Sequence, residues 1–213
     1  MTHLMESKNK ILLYGASGHS KVLISIAESE NMLIEGIFDD FSTHSHLGGY
    51  PIIGNYSDEL LLELPLVIAI GDNNIRKKIA FSALHEFTQL IHKSTVIDET
   101  VRVGKGSVVI HNSIIQRDAI VGDHCIINSN SSIDHDCNLG DFVHISPSAT
   151  LCGNVKVGDG THIGAGATVI PNIKIGKWCV IGAGAVITKD IPDFSFVVGI
   201  PGKVIKTFNN DKN

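Results

Sequence analysis

The chain has 213 residues, enough for one to two average domains with a buried core and no need of covalent staples. Its 17 Lys and Arg against 22 Asp and Glu leave a net charge of −5, which excludes a broad cationic surface for nucleic acid, and 18% charged residues exclude a disordered acidic tail. The 30 Ile and 17 Val against 15 Leu favour strands, where a β-branched side chain has little χ1 freedom to lose.

Residues 1–10 are polar and no run of 18 apolar residues occurs, so the sequence predicts a cytoplasmic protein without a membrane span. Lys10–Tyr14 reads as a first strand. Gly15-Ala-Ser-Gly18-His19-Ser20 follows, then Val22, Leu23, Ile26 and Ala27 at helical spacing: strand, glycine turn, helix. Ile34–Phe38 reads as a second strand ending in Asp39-Asp40, about 20 residues after the glycine turn, where such folds place an acid against a ribose or base. A solvated turn is the plainer alternative for this acidic pair. Leu66–Ile70 reads as a third strand ending in Gly71-Asp72-Asn73, with a helix behind it from about Ile75 to His85. All three loops lie at strand carboxyl ends, the side on which open α/β sheets bind ligands. The N–H groups of Ser17 and Gly18, near a helix N-terminus, suit a phosphate or a sugar nucleotide. Residues 1–93 are therefore predicted to form a small Rossmann-like parallel α/β domain.

The composition then changes: 13 of the 15 Leu precede residue 97, and 14 of the 21 Gly follow it. Cut into sixes from Ile97 to Pro192, the chain gives 16 hexads whose first positions are all aliphatic, from Ile97, Val103 and Val109 to Ile175, Ile181 and Ile187. Fifth positions are mostly small, among them Ser107, Ala119, Cys125, Ser131, Cys137, Ala149, Ala167 and Cys179. A second clock places Gly104, Gly122, Gly140, Gly158 and Gly176 every 18 residues. Both clocks fit a parallel β-helix of triangular section, with three short strands per coil and an inward aliphatic stacking on its copy one coil away. Residues 94–213 are assigned to this second domain.

In the sixth, outward position one column reads Val108, Ile126, His144, His162 and Val180. An outward apolar column wants a partner, and a three-sided solenoid associates readily about a three-fold axis, so a homotrimer with this column near the interface is expected. Coverage by the chain's own termini is the alternative. The four cysteines lack zinc-finger or C-x-x-C spacing and read as small buried residues. Of the 11 histidines, His3, His44, His46, His85 and His92 are expected to be solvated, and His111 and His124 to lie on the surface. No two histidines are five apart, which argues against the zinc site of hexapeptide carbonic anhydrases, and no metal is expected.

The segment Asn128-Ser-Asn-Ser-Ser-Ile-Asp-His135-Asp136-Cys, continuing to His144-Ile-Ser-Pro147, resembles the acetyl-CoA-dependent amino-sugar acetyltransferases of the bacillosamine type, relatives of the sialic acid O-acetyltransferases. The glycine loop, Phe38-Asp39-Asp40 and the tail Val198-Gly-Ile-Pro201-Gly-Lys203 extend the likeness over about Lys10 to Lys206. The resemblance implies a left-handed coil, an exception to the usual crossover hand. It implies His135 as general base with an acidic neighbour, Asp136 here where Glu is expected in the nearest relatives, and His144 as a contact of acetyl-CoA. Together with the strand-end loops it places the nucleotide-linked amino sugar, with UDP or dTDP, against Ser17, Gly18, His19, Asp39, Asp40, Gly71 and Asn128. It assigns Ala165 and Ala183, a small-residue groove, to the pantetheine arm of acetyl-CoA, and Gly153 and Lys203 are expected as further contacts of acetyl-CoA.

The 18-residue arithmetic sets Gly153 one coil after His135 and Arg117 one coil before it. The glycine is expected to leave space beside the imidazole for the thioester, with its N–H donating to the oxyanion. The expected chemistry is direct transfer: a neutral amine attacks the acetyl carbonyl, His135 takes the proton, and coenzyme A leaves as a thiol. Two rivals stand beside it, O-acetylation of a sialic acid or related sugar, and a non-catalytic trimeric nucleotide-sugar sensor or scaffold.

Overall fold

The computed structural model of the chain describes residues 10–208. It opens with a sheet of five strands, β1 (Lys10–Tyr14), β2 (Leu33–Phe38), β3 (His46–Leu47), β4 (Tyr50–Gly54) and β5 (Leu66–Ile68), in the order β3-β4-β2-β1-β5. All neighbours are parallel except the β3–β4 hairpin. That hairpin is absent from the sequence reading because Pro51 and its flanking glycines interrupt the apolar alternation that marks a strand. Helix α1 (Gly18–Ser29) buries Leu23, Ile24, Ile26 and Ala27 against the sheet. A capping box starts it, with Ser17 N–H donating to Ser20 Oγ at 3.1 Å and that hydroxyl donating to the Gly15 carbonyl at 2.5 Å. Helix α2 (Asn73–Ser82) begins at Asp72, whose side chain accepts from Ile75 N–H at 2.9 Å.

From Leu90 the chain winds as a left-handed parallel β-helix of two-residue strands. The first face carries Val108–Val109, Ile126–Ile127, His144–Ile145, His162–Ile163 and Val180–Ile181; the second runs from Val96–Ile97 to Val186–Ile187, and the third from Arg102–Val103 to Lys174–Ile175. Each strand pairs in register with the residue 18 positions on, as in Ile126↔His144 and Ser132↔Thr150. From Val109 to Ile187 every first position is at most 3% exposed, so the hexad periodicity and the buried column coincide. Leu90–Ile91 adds a rung ahead of the first hexad, while Ser195–Val198 and the antiparallel Lys203–Thr207 close the other end.

The corners carry a signal finer than the glycine clock. Fourth positions from Gly106 to Gly184 all have φ between 53° and 67°, the left-handed region. Most are Gly, Asn or Asp, the residues that enter it at least cost. His124, Phe142, Ser148 and Trp178 are the exceptions. The clock glycines serve close approach instead: a Cβ on Gly122 would lie 2.6 Å from the Gly140 carbonyl of the next coil.

Four expectations are corrected. Val108 and Ile126 are each 1% exposed and share a core with Ile11, Leu13, Leu23 and Ile26, so the start of the outward column is covered by the chain's own first domain. His124 is buried, its ring stacked on Phe142 at 5.3 Å, because α2 lies along the corner it occupies. His85 and His92 are also buried, the former between Tyr56 Oη and the Leu60 carbonyl. Cys125, Cys137 and Cys179 are buried as expected, with burial pushing the first two thiols up to about 12 and about 11, but Cys152 is half-buried. His3 lies outside the described residues.

Candidate active site

His135 sits in a corner between the second and third faces, after Ser132–Ile133 and before Asn138–Leu139. Its side chain is 60% exposed, and Nδ1 lies 2.7 Å from Asp136 Oδ2. Asp136 occupies a left-handed corner position at φ 60°, and from it the short carboxylate reaches the neighbouring ring. A carboxylate only accepts, so the Nδ1 proton is held there and Nε2 keeps a free lone pair. Hydrogen bonding by Asp136, with the nearby charge of Asp134, raises the His135 pKa above its ordinary value. The imidazole leans on Gly153, where a Cβ would stand 2.6 Å from Nε2. The expected open space beside the ring is therefore taken by the ring itself, and the glycine is what admits it. Gly153 N–H donates to no acceptor among the described residues.

His144 and His162 lie on the first face, opposite that corner of the prism. Their rings stack at 4.6 Å and 1°, with Asn128 Nδ2 3.3 Å from His144 Nε2 and Ser146 Oγ 2.7 Å from His162 Nε2. Burial, then the charges of His162, Arg76 and His19, push the His144 pKa down to about 3. Beside this pair runs a groove of about 970 Å³, lined by Gly71, Asn74, His144, His162, Trp178 and Lys206 among others; His135 does not line it.

The remaining predicted residues fall into separate groups. Ser17 and Gly18 are exposed at the start of α1, and His19 is half-buried with its pKa pushed down to about 4 by burial and by Arg76. Asp39 accepts from the N–H groups of Ala16 (2.6 Å), Phe41 (2.9 Å) and Ser42 (2.7 Å), and Asp40 accepts from Tyr14 Oη (2.5 Å) and Tyr56 N–H (2.9 Å). Both carboxylates thus shape the loop edge from within the chain. Ala165 and Ala183 are exposed one coil apart on the corner between the first and second faces, and Lys203 is exposed on the closing strand. Sequence reasoning missed Arg76, Asn73 and Ser146, and it placed His162 in a column without giving it a role. The shared column with His144 was the usable signal for His162; Arg76 had none, since its burial depends on the His124 and Phe142 carbonyls of the other domain.

Among the described residues no group of three or more His, Cys, Asp or Glu side chains is placed to hold a metal ion, and no helix is long and apolar enough to cross a membrane. A Rossmann-like sheet whose loops end on a left-handed β-helix bearing an exposed His–Asp pair defines a hexapeptide-repeat acyltransferase. The PglD N-terminal domain family matches residues 10–82, and the bacterial transferase hexapeptide family (six repeats) matches residues 136–170 and 154–189. Perosamine N-acetyltransferase from Caulobacter crescentus, in a histidine-to-asparagine variant complexed with CoA and GDP-perosamine, is 34% identical, with 92% of this chain and 97% of that one covered and a TM-score of 0.89. The acetyltransferase domain of PglB from Neisseria gonorrhoeae, in complex with acetyl coenzyme A, is 34% identical over 92% of this chain and 99% of that one, with a TM-score of 0.85. UDP-N-acetylbacillosamine N-acetyltransferase of Bacillus subtilis (strain 168) is 36% identical over 109 residues, 47% of this chain and 50% of that protein. A 37% match to uncharacterized protein L142 of Acanthamoeba polyphaga mimivirus covers 23% of that protein, so the match spans half or less of each curated relative. The chain belongs to the hexapeptide-repeat sugar N-acetyltransferases that carry a PglD-type N-terminal domain.

Proposed function

We propose that this protein transfers the acetyl group of acetyl-CoA to the amino group of a nucleotide-linked amino sugar, with His135 as general base. The observation that carries this reading is the Nδ1 to Asp136 contact of 2.7 Å, which leaves Nε2 as the free base on an exposed ring. The amine nitrogen adds to the thioester carbonyl and gives its proton to Nε2. The C–S bond then breaks, and the imidazolium returns the proton to the departing sulfur. Gly153 N–H, without an acceptor among the described residues, is the donor for the oxyanion. No covalent enzyme intermediate is required, because the deprotonated amine is already a competent nucleophile.

The loops of the first domain, with Ser17, Gly18, His19 and Gly71, and the first-face residue Asn128 hold the nucleotide-linked sugar, and His144 with the alanine corner holds the coenzyme. His135 lies on the corner opposite the first face, so a complete site takes its base from one copy and its binding face from another. A homotrimer meets that requirement. The relatives carry both UDP-linked and GDP-linked names, so the nucleobase is the open variable. The test is thiol release from acetyl-CoA with a panel of UDP-, GDP- and dTDP-linked 3-amino and 4-amino sugars. Turnover with one of these is the expected result; turnover with a sialic acid alone moves the assignment to O-acetylation, and none at all to a sensor or scaffold.

A further inference from the structure

Arg76 is 1% exposed and plays no part in the chemistry above. Among the described residues its guanidinium makes five hydrogen bonds, none of them to a carboxylate. Nε donates to the His124 carbonyl at 2.8 Å, Nη1 to the Ile70 and Gly71 carbonyls at 3.1 Å each, and Nη2 to Asn73 Oδ1 at 2.8 Å and the Phe142 carbonyl at 2.9 Å. His124 and Phe142 are corner residues of successive coils, so one planar fork ties the loop after β5 to two turns of the β-helix. Burial of a guanidinium without a counter-ion is costly, and an apolar side chain of similar length fills such a space at less cost. Its five satisfied donors point to geometry as the gain.

What this fork holds in place is the Gly71 loop above the His144–His162 stack. Asn128 Oδ1 accepts from Ser129 N–H at 2.8 Å, which turns Asn128 Nδ2 toward His144 Nε2. Nε2 therefore accepts, and the neutral ring carries its proton on Nδ1, a buried atom that faces the Gly71 backbone and has no partner at full hydrogen-bond geometry among the described residues. We propose that Arg76 is a positioning residue for acetyl transfer: it locks the Ile70–Asn73 loop to the β-helix and keeps His144 and His162 as two neutral, stacked rings beneath it.

The groups facing this cluster are His19 from α1, Arg76 and the helix cap Asp72 from α2, and His162 and His124 from the β-helix, with Lys105, Asp123 and Asp141 around His124. After burial, the Arg76 charge disfavours protonation at His19, His124, His144 and His162 alike. Asp72 opposes this at His162, as Asp123 and Asp141 do at His124, without reversing the direction. Neutral rings stack without repulsion, and His144 keeps an N–H donor toward the loop.

The proposal rests on the transfer reaction above, but its first test needs no substrate. Ring-nitrogen NMR of the full-length protein should find His144 protonated at Nδ1 only and not titrating between pH 8 and 5. A proton on Nε2, or ordinary titration near 6.5, overturns the proposal even if the protein is a transferase. Kinetics of Arg76→Lys and Arg76→Met form the second test. Arg76→Lys keeps the charge and loses the fork, so it should raise KM for the nucleotide sugar about tenfold and leave His144 without titration between pH 8 and 5. Arg76→Met should also raise the pH at which the His144 ring nitrogens begin to titrate. An Arg76→Lys variant with unchanged KM overturns the positioning role, and if Arg76→Met fails to fold, the lysine variant and the wild-type spectra still decide.

Discussion

The His135 corner and the His144 junction contain the same side chain under opposite instructions. His135 stands 60% exposed with a carboxylate at 2.7 Å, and its pKa is raised. His144 is pressed between a second imidazole and the first domain, with a buried guanidinium nearby, and its pKa is pushed down to about 3. One ring is prepared to accept a proton and the other to refuse it. Residue type sets only the range; hydrogen-bonded charge and desolvation select the protonation state within it.

The contrast is broken most directly at the exposed corner. His135→Ala should lower kcat/KM by about 10²- to 10⁴-fold while the melting temperature and oligomeric state stay unchanged, since the side chain is solvated. Near-full turnover in that variant removes His135 from the reaction. Gly153→Ala puts a methyl 2.6 Å from Nε2, inside van der Waals contact, and displaces the ring. An activity loss of about 10²-fold with an unaltered circular dichroism spectrum is expected. Asp136→Asn is a milder change, because Asn accepts the left-handed φ of 60° at that corner. It removes the charge that raises the His135 pKa, so the acid limb of the kcat/KM profile should shift to lower pH, with a smaller loss of activity at pH 7 than His135→Ala causes. A limb that stays in place belongs to another group.

The smallest effect is thermodynamic and belongs to the junction. His19 and His124 are pushed down to about 4 and His144 to about 3, against about 6.5 in the unfolded chain. Above pH 6.5 both states are neutral and nothing is lost. Between about 6.5 and 4 the unfolded chain binds protons that the folded one refuses, so stability falls as the pH is lowered through that window. The raised, exposed His135 acts in the opposite sense and only weakly. A melting temperature that drops from pH 7 to pH 5 is the expected result, whereas a flat profile would mean that the buried imidazoles reach solvent in the folded state.

The β-helix was legible to the single residue, because a repeat that stacks at a fixed 18-residue rise converts position in the chain into position in space. The inward aliphatics, the small fifth positions and the placing of Gly153 beside His135 follow from that arithmetic, whereas the bacillosamine-type resemblance supplied the coil's hand, the histidine's role and its Asp136 partner. Three strand-and-loop units of the first domain were legible as well, since β1 and both helices carry local signals in glycine turns and apolar spacing. The column of Val108, Ile126 and His144 shows the limit. Its outward direction was read correctly, yet its partner proved to be the chain's own first domain at the first two residues. Only tertiary structure brought α2 against the corner at His124 and Phe142, buried Arg76 there and withheld protons from the histidines around it. Local sequence determines what a segment repeats or turns into; docking between unlike domains is set by the fit of whole surfaces, and no spacing in the chain encodes that.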